Sequence, residues 1–162
     1  MKDKIIIHPI PPVYSENSTV LILGSFPSVK SREQCFFYGH KQNRFWQVIA
    51  NICNEKTPET VEEKKELLIN NGIAVWDVIY SCEICGSADN SIKNVVVNDI
   101  DTIIKESKIE RIFTNGKKAD ELYKKYLEKQ TGIKAVCLPS TSPANAVWSV
   151  EKLINEWKII KN

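Results

Sequence analysis

The sequence predicts an α/β fold of three layers (αβα), in which helices cover both faces of a central, mostly parallel sheet of about four strands. Three observations predict it. Residues 19–23, Thr-Val-Leu-Ile-Leu, form an apolar run without polar alternation, as in a strand buried on both faces. Further short apolar runs alternate along the chain with segments whose apolar residues recur at helical spacing. The stretches rich in Gly, Ser, Pro and Asn follow the strands, at the end where open parallel sheets bind ligands.

The elements follow in order. The leader His8-Pro-Ile-Pro-Pro-Val-Tyr14 holds three prolines and should run extended and irregular. Residues 19–23 form the first strand, ending at Gly24. Trp46, Ile49, Ala50 and Cys53 mark the inner face of a helix. Residues 60–71 form a second helix, rich in Glu and Lys, which Gly72 can end. Residues 73–78 form the second strand and 99–107 a helix. Residues 111–114 form the third strand. Ala119, Leu122, Tyr123, Tyr126 and Leu127 face inward from the next helix. Residues 134–138 form the fourth strand. Val150, Leu153, Ile154 and Trp157 mark a C-terminal helix.

A chain of 162 residues fits one domain, residues 1–162, with one core. No apolar run is long enough to span a membrane, and residues 1–8 lack the apolar stretch of a signal peptide. A cytoplasmic monomer is expected. The net charge of +2 allows nucleic-acid binding only if the positive charge is locally concentrated. Five cysteines, an odd number, argue against a disulfide framework. Cys82 and Cys85 form a single CxxC without a second ligand pair, so no metal is expected.

Four stretches should meet on one rim of the sheet. Gly24-Ser-Phe-Pro-Ser28 follows the first strand, and Gly24 lets a ligand approach the backbone. The Ser25 or Phe26 amide then suits a carbonyl acceptor; a plain strand-to-loop turn would look the same. Asp77 ends the second strand. Asn115, Gly116 and Lys117 follow the third; the Asn115 amide offers both donor and acceptor, or simply caps the helix. Pro139-Ser-Thr-Ser-Pro-Ala144 follows the fourth. Its Ser140, Thr141, Ser142, Pro143 and Ala144 suit phosphates or a groove, while Ser142 and Pro143 would also suit a helix start. Between these, residues 38–46 combine Tyr38, His40, Asn43, Arg44, Phe45 and Trp46. Aromatic faces stack on bases and cations meet phosphates, although the spacing of Trp46 assigns it to the core and Asn43 could be an N-cap.

The segments 8–12 and 23–28, Tyr38-Gly-His with Asn43-Arg-Phe-Trp46, Gly72-Ile-Ala-Val-Trp-Asp-Val-Ile79, Ser81-Cys82 with Gly86-Ser87 and Asp89, Phe113-Thr-Asn-Gly116 and Leu138-Pro-Ser-Thr-Ser-Pro-Ala144 together resemble the hypoxanthine-DNA glycosylase family, a branch of the uracil-DNA glycosylase superfamily. The resemblance covers nearly the whole chain. It implies a glycosylase-like domain without metal or cofactor, whose partner is DNA containing a deaminated base. It implies catalytic amides at Asn43 and Asn115. The base would lie among Gly24, Ser25, Phe26, Pro27, Tyr38, Phe45 and Asp77. DNA would be held by Ser28, His40, Arg44, Lys117 and the 140–144 loop. The better-known uracil glycosylases carry Asp where this chain has Phe26 and His where it has Leu138, so the resemblance favours hypoxanthine over uracil. Alternatives are a mismatch-directed uracil or xanthine glycosylase and a non-catalytic module that binds damaged DNA.

Overall fold

The computed structural model describes residues 4–161. Residues 1–3 and 162 lie outside it, so the N-terminal segment read above for targeting is described only from Lys4 onward. In chain order the elements are β1 (Ile5–Ile7), β2 (Val20–Gly24), α1 (Val29–Gln34), α2 (Phe45–Ile52), α3 (Val61–Asn70), β3 (Ile73–Asp77) and β4 (Ile79–Glu83). They continue with β5 (Lys93–Val97), α4 (Ile100–Lys105), β6 (Arg111–Asn115), α5 (Lys117–Tyr126), α6 (Glu128–Thr131), β7 (Ala135–Leu138) and α7 (Val150–Trp157).

The expected parallel sheet is present, in the order β3-β2-β6-β7. Period-two alternation assigns its side chains to two faces. Ile22, Val75 and Phe113 pack on one side with Phe45, Ile49, Leu68, Leu153 and Trp157, from α2, α3 and α7. Leu21, Leu23, Ala74 and Ile112 pack on the other with Ile100, Ile103, Leu122 and Tyr123, from α4 and α5. The result is three layers with the core on both sides of one sheet.

A second, three-stranded sheet, β1-β4-β5, is antiparallel and was not expected from the sequence. The chain leaves β3 at Val78 and enters β4 at once, so one apolar run serves two sheets. Asn98 stabilises that break by donating to the carbonyls of Asp77 (2.8 Å) and Ile79 (3.0 Å). The leader runs irregularly as expected, apart from a single bridge between Val13 and Val75.

Topology fixes where a ligand can sit. α2 and α3, which follow β2, lie on one face; α5, which follows the neighbouring β6, lies on the other. The carboxyl ends of β2 and β6 therefore splay apart, at the switch point where such sheets form their binding crevice.

Candidate active site

A cleft opens at this point, with about 710 Å³ of empty space continuous with solvent at its mouth. Gly24, Phe26, Asp77, Asn115 and Thr141 line it, so loops following all four parallel strands contribute. Tyr38 and Asn43 reach it from the segment preceding α2.

Thr141 organises one wall. It is fully buried, and its hydroxyl donates to Asn43 Oδ1 at 2.9 Å and accepts from Asn115 Nδ2 at 3.1 Å. Its backbone N–H donates to Asn115 Oδ1 at 3.1 Å. Asn43 Oδ1 also accepts the Phe45 N–H at 2.9 Å. Both lone pairs of that oxygen are thus used, and the group Asn43 has left for the cleft is its N–H2 donor. Asn43 is not the side-chain N-cap of α2, whose cap position is Arg44 without a capping bond. Asn115 caps nothing either. It ends β6, and Gly116, at φ 96°, takes the cap position of α5.

Arg44 holds the same wall from behind. Its guanidinium donates to the carbonyls of Thr141, Ser142, Asn145 and Trp148, which are contributed by the loop before α7. This corrects its expected role at a phosphate: a planar fork engaged by four carbonyls is a loop brace. Thr141, also expected to meet DNA, is inside the wall. Ser142 and Pro143 start no helix; Ser149 caps α7 by accepting from Lys152 N. Ser142 and Ser140 do line the cleft, while Ala144 and Lys117 are exposed. His40 is exposed and does not line the cleft; its Nδ1 accepts the Gln42 N–H.

The other wall is aromatic and acidic. Phe45, expected to stack on a base, is wholly buried and cannot. It stacks instead on Tyr38, with ring centroids 4.0 Å apart, so one face of Tyr38 is covered as well. Phe26 remains as the aromatic surface, with the Arg32 guanidinium 5.5 Å from its ring centre. The Tyr38 hydroxyl is buried and makes no well-formed hydrogen bond, with the Asn115 side chain beside it. Burial, reinforced by the Asp77 carboxylate, raises its pKa far above the ordinary value, so the phenol stays a proton donor.

Asp77 lies at the base of the cleft and is 3% exposed. A Cβ on Gly24 would fall 2.3 Å from Asp77 Oδ1 and 3.0 Å from the Tyr38 hydroxyl, so only glycine fits there. Asp77 Oδ2 pairs with His8 Nε2 at 2.7 Å. His8 was not among the expected site residues; the signals in the sequence were its place at the head of the proline-rich leader and of the segment 8–12 that shares in the resemblance. Asp89 lines the cleft too, 3.4 Å from the Ser25 hydroxyl, and burial raises its pKa above the ordinary carboxylate value.

The cleft at the switch point is thus walled by an aromatic face, amides and a carboxylate. Residues 11–161 match the family described as the Uracil DNA glycosylase superfamily, and the chain belongs to that superfamily. A protein of Methanosarcina acetivorans named Hypoxanthine DNA glycosylase is 35% identical over 153 residues, covering 93% of this chain and 94% of that one. One of the same name from Methanosarcina barkeri is 34% identical over 138 residues, covering 83% and 85%. The fold is similar to a solution NMR structure of a Methanosarcina acetivorans protein described as a uracil DNA glycosylase. That match has a TM-score of 0.81 at 30% identity and covers 98% of this chain and all of that one.

Proposed function

We propose that this protein hydrolyses the N-glycosidic bond of a deaminated nucleotide flipped out of DNA, with hypoxanthine as its principal base, and leaves an abasic site. The observation that carries this reading is the orientation of Asn43, whose carbonyl is bonded within the protein and whose N–H2 is left for the cleft.

Flipping costs a few kcal/mol of stacking, least at a mismatch such as the one adenine deamination leaves. The base slides against Phe26, and its carbonyl meets the backbone N–H groups of the Ser25–Phe26 loop. Its ring N–H meets Asp77. As the bond to the sugar breaks, negative charge grows on the base, and Asn43 Nδ2 and the Tyr38 hydroxyl donate toward it. The sugar passes through an oxocarbenium-like state that captures water readily. Asn43 therefore acts as a preorganised donor and not as a base. Asn115 uses its carbonyl and one amide proton on Thr141, which makes it first a positioning residue for Asn43, and its side chain also stands beside the Tyr38 hydroxyl. No lysine lines the cleft among the described residues, so no Schiff base and no strand cleavage are expected. Ser28, Ser140 and Ser142 at the cleft, with Lys117, His40, Pro143 and Ala144 beyond it, would hold the backbone on either side. No helix among the described residues is long and apolar enough to cross a membrane. The reading includes a cytoplasmic monomer.

The test is base release from labelled duplexes carrying one inosine, uracil or xanthine, with alkali to reveal abasic sites. Release from inosine, lost in Asn43→Ala, is expected. Release from uracil alone would overturn the base assignment and keep the reaction. Tight binding of damaged duplexes without any release would replace the enzyme by a binding module.

A further inference from the structure

Only one oxygen of Asp77 is available to a base. His8 Nδ1 accepts the Ile10 N–H at 3.1 Å, so that nitrogen carries no proton. The ring proton is then on Nε2, which donates to Asp77 Oδ2 at 2.7 Å. The imidazole is packed among Phe26, Phe37 and Trp76, with centroids 5.9 to 6.2 Å away. Its backbone is pinned by the His8 N–H to Tyr80 carbonyl bond at 2.7 Å, an extension of the β1–β4 pairing. The two side chains are 2% and 5% exposed. Oδ1, by contrast, has no protein donor among the described residues and lies over Gly24 in the cleft.

We propose that His8 turns Asp77 into a one-oxygen reader that separates deaminated bases from the amino bases they come from. This deepens the proposed base release and rests on it. Deamination changes the ring nitrogen beside the altered carbon. Adenine N1 and cytosine N3 present a lone pair; hypoxanthine N1 and uracil N3 present an N–H. A lone carboxylate oxygen accepts the N–H and repels the lone pair, so adenine and cytosine are refused. Guanine is the harder case, since it has an N–H at N1 and an amino group beside it. A free carboxylate would take both donors, one on each oxygen. Here Oδ2 already holds the His8 proton and the imidazole blocks its approach. The guanine amino group would be buried without an acceptor, next to another donor, which is how a site discriminates most strongly. Thymine keeps its N–H and is not separated by this device. The carboxylate does nothing for the departure of the base, because it opposes the charge that develops there. Its use is in choice, and His8 is its positioning residue.

Free nucleosides test this without catalysis. The experiment is an NMR shift titration of the wild type with 2′-deoxyinosine, 2′-deoxyguanosine and 2′-deoxyadenosine, repeated on His8→Phe, His8→Gln and Asp77→Asn. The wild type should bind deoxyinosine at least tenfold tighter than deoxyguanosine. His8→Phe keeps the bulk and removes the donor; it should narrow that ratio by about tenfold. His8→Gln, whose amide can donate to Oδ2, should restore most of it. Asp77→Asn gives the sharpest sign. His8 donates to the amide oxygen, which turns the amide N–H2 into the cleft, where it prefers a lone pair. That variant should bind deoxyadenosine better than deoxyinosine. Three results would overturn the inference: a wild-type ratio near one, equal weakening of both nucleosides in His8→Phe, or unchanged inosine preference in Asp77→Asn. Should His8→Phe fail to fold, the wild-type ratio and the Asp77→Asn preference still decide. Nucleoside selectivity as expected, with no base released from any duplex, would instead sink the proposed reaction and leave the reader standing.

Discussion

The two walls of the cleft are built on opposite principles. On the Asn43 side most of the polar groups are bonded within the protein: Thr141 joins two asparagines, and Arg44 secures the loop that carries Thr141. On the Asp77 side groups are held less tightly: one carboxylate oxygen has no protein donor among the described residues, the buried phenol makes no well-formed hydrogen bond, and Phe26 lines the cleft with its ring. A donor that must meet a charge appearing only in the transition state gains from being immobile beforehand. A surface that must accept or refuse a base gains from groups whose only partner is that base. The difference teaches that, on the proposed mechanism, the braced wall serves the rate and the Asp77 carboxylate on the open wall serves the choice, with the Tyr38 hydroxyl joining Asn43 as a donor.

The largest effect should come from Asn43, the braced group whose free donor is proposed to meet the departing base. Asn43→Ala removes the oriented N–H2 and should lower kcat on inosine duplexes by about 10²- to 10³-fold, the cost of losing one preorganised donor. If Asn43 acts only as the bond breaks, kcat and kcat/KM should fall together while KM stays nearly constant. Single-turnover kinetics against DNA affinity makes the measurement. A rise in KM at constant kcat would move Asn43 to the wall that chooses.

How much of this was legible in the sequence follows from how local each cause is. The four parallel strands and the convergence of their loops could be read, because buried runs such as residues 20–23 and the glycine and asparagine after them are local signals. The second sheet could not. Its β5 reads Lys-Asn-Val-Val-Val with only partial burial, and in β1 Ile5 and Ile7 are 69% and 60% exposed, so neither follows a buried pattern. Within the cleft, Asp77 and Asn115 were named from their positions at strand ends, while a role beyond a helix cap for Asn43 and Asn115 came from the family resemblance. Arg44 and Phe45 were misassigned for one shared reason. A cation and a ring in such a segment look the same whether they face DNA or the interior. The carbonyls that take up Arg44 lie about 100 residues further on, 97 to 104 by position. His8 was missed because its meaning lies in Asp77, 69 residues away.

Thr141→Val sharpens the comparison at intermediate size. It keeps the shape and removes the hydroxyl that bonds both asparagines. Leaving their partnered atoms unpaired should cost about 1–3 kcal/mol of stability, read as a lower urea midpoint at unchanged slope. Base release should slow by about tenfold, because Asn43 keeps its N–H2 but loses one of the two bonds that aim it. The preference among inosine, guanosine and adenosine should not move, since the choosing wall is untouched. A variant that loses selectivity and keeps its rate would reverse the assignment of the two walls.

The smallest effect belongs to Asp89 on the open side. Burial raises its pKa in the folded protein, while the Ser25 hydroxyl and Lys118 pull it back only in part. The sign follows from linkage: a carboxyl whose folded pKa is raised gives stability that is present at acid pH and is lost as pH rises through the folded value. Asp89→Asn cannot ionise and should lose this component. Melting temperatures of wild type and variant should therefore lie closest at low pH and separate as pH rises above the ordinary carboxylate range, with the variant the more stable. A gap that closes with rising pH would mean that the Asp89 carboxylate is held by a favourable partner when ionised, and the open wall would then contain a braced group of its own.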